Sequence, residues 1–385
     1  TRTLLTEPQA EVWDRPVHRR GRDYFGLLVP PAVPRLGHRL AGRLGFPRGH
    51  RVPERWDGFP AAARAFVNDS EAWPSLRGAA RLADVAIIHG DGAMVANGNI
   101  PRTMLFLAYV LTTMFDVPVA LVNHTADFDH ADLREIAVHV YPLLADVVFR
   151  ETESVERCAD MCDGRFAPDS AFLFEPAMPE TWAELAARPT YMDVWPDTAA
   201  FDPGAPYLCL GGSSLYVFLD SPEQVVSAYV TLIERVQAVY SGQIVLTASD
   251  LRDQPVMRAL AARLQLPLMG LHTPVQQVVD VLGNADAYIG GRWHPSIFAL
   301  RGGAPIIPLS SRTFKMEALA RLAGLPAVPH DALDLSAAAE GVAARLSSYL
   351  ESGSGLRSRL REWGRRMAED SLDNVRWLME GGSST

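Results

Sequence analysis

Residues 287–324 read AYIGGRWHPSIFALRGGAPIIPLSSRTFKMEALARLAG. A short apolar run over 287–289 predicts a buried strand, and Gly290-Gly291 predicts the turn that ends it. Arg292, His294 and Ser296 then fall at the mouth of an apolar helix. A second apolar run, 305–309, predicts the next strand, and a further helix begins near Phe314. Strand, helix, strand and helix in such short succession is the pattern of a parallel sheet with crossover helices. In open sheets of this kind ligands bind beyond the carboxyl ends of the strands, and a helix N-terminus there favours an anion. Arg292 in this setting suits a carboxylate or phosphate, and His294 can exchange a proton. The alternative is structural, with Arg292 paired to an acid and His294 capping the helix.

The same alternation extends through the chain. In the first half it predicts strands over 84–88, 117–122, 146–149 and 171–174, and helices from Pro101 and over 129–144. The first strand ends in His89-Gly90-Asp91-Gly92, and the third runs into Arg150-Glu151-Thr152-Glu153-Ser154, which opens another helix. Residues 176–205 are rich in Pro, Trp, Thr and Asp without a period and read as a linker or crossover. The second half restarts with a strand over 207–210 and the small-residue loop Gly211-Gly212-Ser213-Ser214. Helices over 222–240, 254–264 and 273–282 follow, the last capped by Thr273, with a strand over 243–247. The predicted organisation is α/β, with two Rossmann-like parallel-sheet domains facing a cleft in a GT-B-like arrangement. The N-terminal domain spans 1–175, the linker 176–205, and the C-terminal domain 206–335. Helices over 336–350 and 356–379 are expected to pack back on the first domain.

Composition narrows the class. The chain has 385 residues, 48% hydrophobic and 21% charged, with a net charge of −9, which argues against a nucleic-acid binder. Residues 1–60 carry 11 Arg against 6 acids, an arm that could meet an anionic acceptor or a membrane surface; a solvated face is the plainer alternative. The longest apolar run, 104–115, falls short of the roughly 20 residues that span a bilayer, so no integral membrane segment is expected. The N-terminal residues lack a secretory signal pattern. Three cysteines, Cys158, Cys162 and Cys209, form neither a disulfide framework nor a metal set, and a reducing, cytoplasmic compartment is expected. Of the 36 basic residues, Lys315 is the only lysine. A compact ammonium with three donors suits a phosphate or carboxylate as a point charge. His89 and His124 follow first-domain strands and are candidates for the cleft. Ser213 and Ser214 lie in a loop whose amides could hold a phosphate or simply turn.

The stretch quoted first resembles the C-terminal motif of the polysaccharide pyruvyl transferase family, with Arg292, His294, Gly303, Pro305 and Lys315 on its positions. HGDGAM at 89–94 resembles that family's glycine-rich turn, VVFRETES at 147–154 its strand–Arg–acid–x–x–Ser motif, and APDSAF at 167–172 its Pro-Asp turn. The resemblance covers roughly residues 80–330. The family's opening Asn-x-Gly-Asp loop has only Asp23-Tyr24-Phe25-Gly26 as its nearest counterpart, without the Gly-Asp pair.

The resemblance implies transfer of the pyruvyl group of phosphoenolpyruvate to hydroxyls of a sugar or glycan, with release of phosphate. Arg292, Lys315, Arg150, Ser296 and Gly291 would hold the donor, His294 would protonate the enol carbon, and Asp91 would serve as base, with a plain turn role for Asp91 as the alternative. Phosphoenolpyruvate is then a co-substrate, and neither a further cofactor nor a metal is expected. A nucleotide-sugar glycosyltransferase is the rival on the same fold. Such enzymes carry a glutamate where this chain has Phe298, which cannot accept hydrogen bonds from a ribose. A binding protein without catalysis is the remaining alternative.

Overall fold

The computed structural model describes residues 52–68, 74–95, 98–186, 201–219, 221–271 and 273–381. The Arg-rich arm up to residue 51, the acceptor-loop candidate Asp23-Tyr24-Phe25-Gly26 and most of the second half of the linker lie outside the described residues.

The first sheet holds β1 (Ala86–Met94), β2 (Val119–Ala126), β3 (Asp146–Phe149) and β4 (Arg165–Phe166), parallel and in that spatial order. Around it lie α1 (Phe59–Asn68), α2 (Pro74–Ala80), α3 (Asn99–Phe115), α4 (Ala131–Val140) and α5 (Thr152–Arg157). β2 is buried along its whole length because both its faces are covered. Val119 and Leu121 point into a core with Phe59, Phe106 and Leu133. Ala120 and Val122 point the other way, to Val148, Ala167 and Trp377.

After α6 (Pro179–Ala186), the second sheet contains β5 (Tyr207–Ser213), β6 (Gln243–Thr247), β7 (Leu268–Met269), β8 (Tyr288–Gly291) and β9 (Ile306–Pro308), all parallel, in the order β7-β6-β5-β8-β9. Its helices are α7 (Glu223–Val239), α8 (Asp253–Leu264), α9 (Val275–Asn284), α10 (Trp293–Gly302) and α11 (Lys315–Leu322). The chain leaves β5 first to one side and then to the other, so the strand order reverses between β5 and β8. The crevice beyond their carboxyl ends is where such sheets bind ligands. The chain closes with α12 (Leu335–Asp370) and α13 (Arg376–Met379). α12 bends at Gly353, whose φ of 56° lies outside the helical region. Between α12 and α13, Asn374 donates to the carbonyl of Pro168 at 2.8 Å, and Trp377 covers the free face of the first sheet.

Several local expectations are corrected. Residues 171–174 are not a strand: Asp169 accepts from the Ala171 amide and winds Ser170–Leu173 into a 3-10 turn, while Arg165–Phe166 takes the sheet edge. The turn at 89–92 lies inside β1 and distorts its register, with Asp91 at φ 47°. α9 starts after Pro274 with no side-chain cap, so Thr273 does not cap it. β7 was not expected from sequence, since two residues carry no measurable period.

α9 and α10 cross at Gly283 and Gly302. A Cβ on Gly302 would lie 2.1 Å from the Gly283 carbonyl oxygen, inside backbone that cannot yield. Gly302→Ala should therefore destabilise the protein by about 1–3 kcal/mol in chemical denaturation. Gly355→Ala, in α12 with open space around it, should be neutral or stabilise by up to about 1 kcal/mol. Equal effects at the two sites would contradict the packing described.

Candidate active site

Four parallel strands deliver the site. Asp91 comes from the distorted end of β1, Arg150 follows β3, Asp169 follows β4, and Trp293 and His294 follow β8 as the first turn of α10. They meet at a cleft of about 940 Å³ between the two sheets.

Arg150 is the hub. Its guanidinium is 1% exposed and donates to Asp91 Oδ1 at 2.5 Å, to Asp169 Oδ2 at 2.9 Å and to Thr125 Oγ1 at 2.9 Å. The Trp293 ring stacks over it at 4.6 Å, and the indole N–H donates to Asp169 Oδ2 at 2.8 Å. The second domain is thereby joined to the first through one carboxylate and one guanidinium. His294 stands beside this group, with Nε2 3.7 Å from both Asp91 Oδ1 and Asp169 Oδ2, and its half-exposed ring opens to the cleft.

The surroundings set the charges. Burial alone would raise the Asp169 carboxyl, but His294 and Arg150 outweigh it and hold the group far below the usual carboxylate range. Asp91 is lowered in the same way: burial opposes, Arg150 and His294 prevail. Both are therefore ionised at neutral pH. Glu151, beside Arg150 but turned away from the cleft, is pushed up to about 7 by burial, with Arg150, Ser154 and Thr125 opposing. Lys315, the first residue of α11, is brought down to about 8 by desolvation, helped by the positive charges of Arg150 and Arg292. It lines the cleft and makes no ion pair among the described residues.

The candidates named from sequence separate clearly. Asp91, Arg150, Arg292, His294, Lys315, His89 and Ser214 line the cleft. Arg292 is committed inwardly, because Nε and Nη2 grip the buried Asp253 at 2.7–3.2 Å, leaving Nη1 outside that fork. Arg150 is likewise engaged by protein partners through Nε and Nη1, and it still contributes to the cleft lining. Ser296 is buried and donates to the Arg292 carbonyl at 2.8 Å, as a helical serine does, away from the cleft. Gly291 lies beneath the site, packed so closely that a Cβ would meet Ser213 and Ser310 at 2.9 Å. Ser213 is buried too and donates to the Ser310 carbonyl at 2.6 Å.

His124 is a correction: it is fully buried between Val148 O and Tyr141 Oη, at 2.9 and 3.0 Å, and desolvation brings it down to about 3. It faces the interior. Asp169, Trp293 and Asp253 were not anticipated. The only sequence signal was the Pro-Asp turn at 168–169, which gives no role without the partners across the cleft.

Asp91, Asp169 and His294 offer ligand atoms within 4.8 Å of one another, close enough to surround a cation. Arg150, at 2.5 and 2.9 Å, already donates to the same two carboxylate oxygens that face His294, so the donor set fits a divalent ion poorly. The three cysteines are free, and burial raises Cys158 and Cys162 to about 12 and about 11, which makes them inert thiols. No helix among the described residues is long and apolar enough to cross a membrane.

Comparison with known proteins bears on the fold and on the family. UDP-GlcNAc 2-epimerase from Neisseria meningitidis, bound to UDP-GlcNAc, superposes with a TM-score of 0.51 at 11% identity, over 86% of this chain and 83% of that one. S. aureus MnaA in complex with UDP superposes with a TM-score of 0.51 at 11% identity, over 84% and 82%. At such identity the likeness concerns the fold, which is GT-B. No curated protein sequence matches the chain. The family model for polysaccharide pyruvyl transferase matches residues 12–313, which takes in the cleft-lining groups described above with the exception of Lys315, and the chain is accordingly a member of the polysaccharide pyruvyl transferase family.

Proposed function

We propose that this cleft transfers the pyruvyl group of phosphoenolpyruvate to hydroxyls of a sugar or glycan, releasing inorganic phosphate. The observation that carries the reading is that His294 and Lys315, both in the first turns of helices, line one cleft beside Arg150 and the two carboxylates that grip it. A trianionic donor is left to the groups that are not committed: the Lys315 ammonium, Arg292 Nη1 and the amides that open α10. Arg150 then acts as a positioning residue, holding Asp91 and Asp169 against His294.

The bond changes balance as follows. A proton from His294 reaches the methylene carbon of the enol, which becomes the methyl group, and a sugar hydroxyl oxygen bonds to the adjacent carbon. The carbon–oxygen bond to phosphate breaks, and a second hydroxyl closes the ketal. Of the two hydroxyl protons, one restores His294 and the other leaves on phosphate. Asp91, ionised and bonded to Arg150, is a weak base; it suits orienting a hydroxyl more than stripping it. Phe298 and Phe174, edge to face at 5.8 Å on the cleft wall, offer no acceptor for ribose hydroxyls, which favours phosphoenolpyruvate over a nucleotide sugar. In a thermal-shift comparison, phosphoenolpyruvate should stabilise the protein and nucleotide sugars should not.

His294→Asn should lower turnover by about two to four orders of magnitude with little change in donor affinity. Steady-state kinetics with phosphate release as readout decides this; retention of more than about a tenth of turnover would place the proton source elsewhere.

Lys315 gives a pH test. Its ammonium is charged below about 8 and loses its charge above it, so donor affinity should fall as pH rises through that value. Lys315→Met should weaken donor binding about 10- to 100-fold at neutral pH and flatten the alkaline limb. Calorimetry showing undiminished binding in the variant would refute the clamp. Turnover should also survive exhaustive EDTA treatment, and rescue of a chelated, inactive sample by a divalent ion would show that a metal is required.

A further inference from the structure

A second histidine on the cleft, His89, is held in one orientation and one tautomer by a side chain that never reaches the cleft. Asn123, in β2, is 1% exposed and adopts φ 55°, a conformation that costs a non-glycine residue about 1 kcal/mol or more and persists only where its surroundings hold it. Its amide has three partners. The Ser170 backbone N–H donates to Oδ1 at 2.8 Å, which fixes that end as oxygen. Asp169 Oδ1 lies 3.3 Å from the other end; an ionised carboxylate only accepts, so that end is nitrogen. The same Nδ2 lies 2.7 Å from His89 Nε2. With one hydrogen directed to Asp169, the other points at the imidazole, and Nε2 must accept it through its lone pair. The single ring proton is then on Nδ1.

We infer that His89 is an acceptor-binding residue that offers its Nδ1–H to an oxygen of the incoming sugar and does not act as a base. The ring is exposed on the first-domain wall of the cleft, and Nδ1 has no hydrogen-bond partner among the described residues. Nε2, the nitrogen a base would use, is occupied by Asn123. The same network explains why this wall keeps register with the donor side. Asp169 bonds Asn123 through Oδ1 and faces Arg150, Trp293 and His294 through Oδ2, so one carboxylate orients groups on both substrates. The identity of the ligand as a sugar rests on the reaction proposed above; the tautomer does not.

The test has two arms. In protein labelled with ¹⁵N-histidine, long-range ¹H–¹⁵N correlations at neutral pH, assigned by loss of the signal in His89→Gln, should show the proton on Nδ1 and a bare Nε2. A proton on Nε2, alone or in addition, overturns the inference, and this arm is read without any substrate. The second arm uses phosphoenolpyruvate with methyl galactoside, methyl glucoside and methyl mannoside as acceptors. His89→Ala should raise acceptor KM about 3- to 10-fold while leaving phosphoenolpyruvate KM unchanged, and His89→Gln, which keeps an N–H donor, should recover part of the loss. An unchanged acceptor KM, or an equal rise for both substrates, overturns acceptor binding by His89. Failure of the wild-type protein to bind phosphoenolpyruvate at all would instead remove the assigned reaction while leaving the tautomer measurement valid.

Discussion

The buried guanidinium of Arg150 is the constraint around which the site is arranged. A fully desolvated cation is tolerated only if its donors are met and its charge is matched, because an unpaired one costs several kcal/mol. Here the matching comes from separate pieces of chain: Asp91 on β1, Thr125 on β2, Asp169 in the turn after β4, and the Trp293 ring from the other domain. Loss of any one would leave charge or hydrogen-bonding capacity exposed in a dry place, so the five groups keep their positions together. His294 inherits its place from this arrangement, since it follows Trp293 directly and Trp293 is tied to Asp169.

The joint between the domains has further supports that converge on the same helices. Arg157 of α5 stacks on Phe314 at 4.2 Å, and Arg321 of α11 pairs with Glu153. These exposed contacts are individually weak. Their placement matters more, because Phe314 immediately precedes Lys315 and so connects the first domain to the residue best suited to hold an anion. Among the described residues Lys315 reaches the cleft without an ion pair, whereas Arg150 is held by Asp91 and Asp169 and Arg292 by Asp253. An incoming anion meets Lys315 without first having to break an internal bond.

Two non-glycine residues with left-handed backbone, Asp91 and Asn123, lie within the neighbouring strands β1 and β2, where Asp91 pairs with His124. Each coincides with a shift in strand register, and its side chain meets Arg150 or Asp169. Such conformations concentrate where a fold holds side chains for binding or chemistry. The hydrogen bonds they make offset the backbone cost.

The amino-acid sequence by itself determined the parallel α/β plan, the main strands and helices, the Gly-Gly-Arg-x-His mouth of α10 and the singular Lys315. These follow from local rules: burial of alternating or helical faces, and the backbone freedom of glycine at a turn. It also supplied the family, through motifs that are contiguous in the chain. Only the tertiary structure decided which polar groups are free. Arg292 finds Asp253, 39 residues away, and Trp293 finds Asp169, 124 residues away. His124 looked like a cleft histidine at a strand end, yet its ring turns inward to Tyr141 and Val148. The reason is electrostatic. Whether a charged or polar side chain serves a ligand or another residue depends on distance and desolvation across the whole fold, and neither quantity is written in the spacing of any one segment.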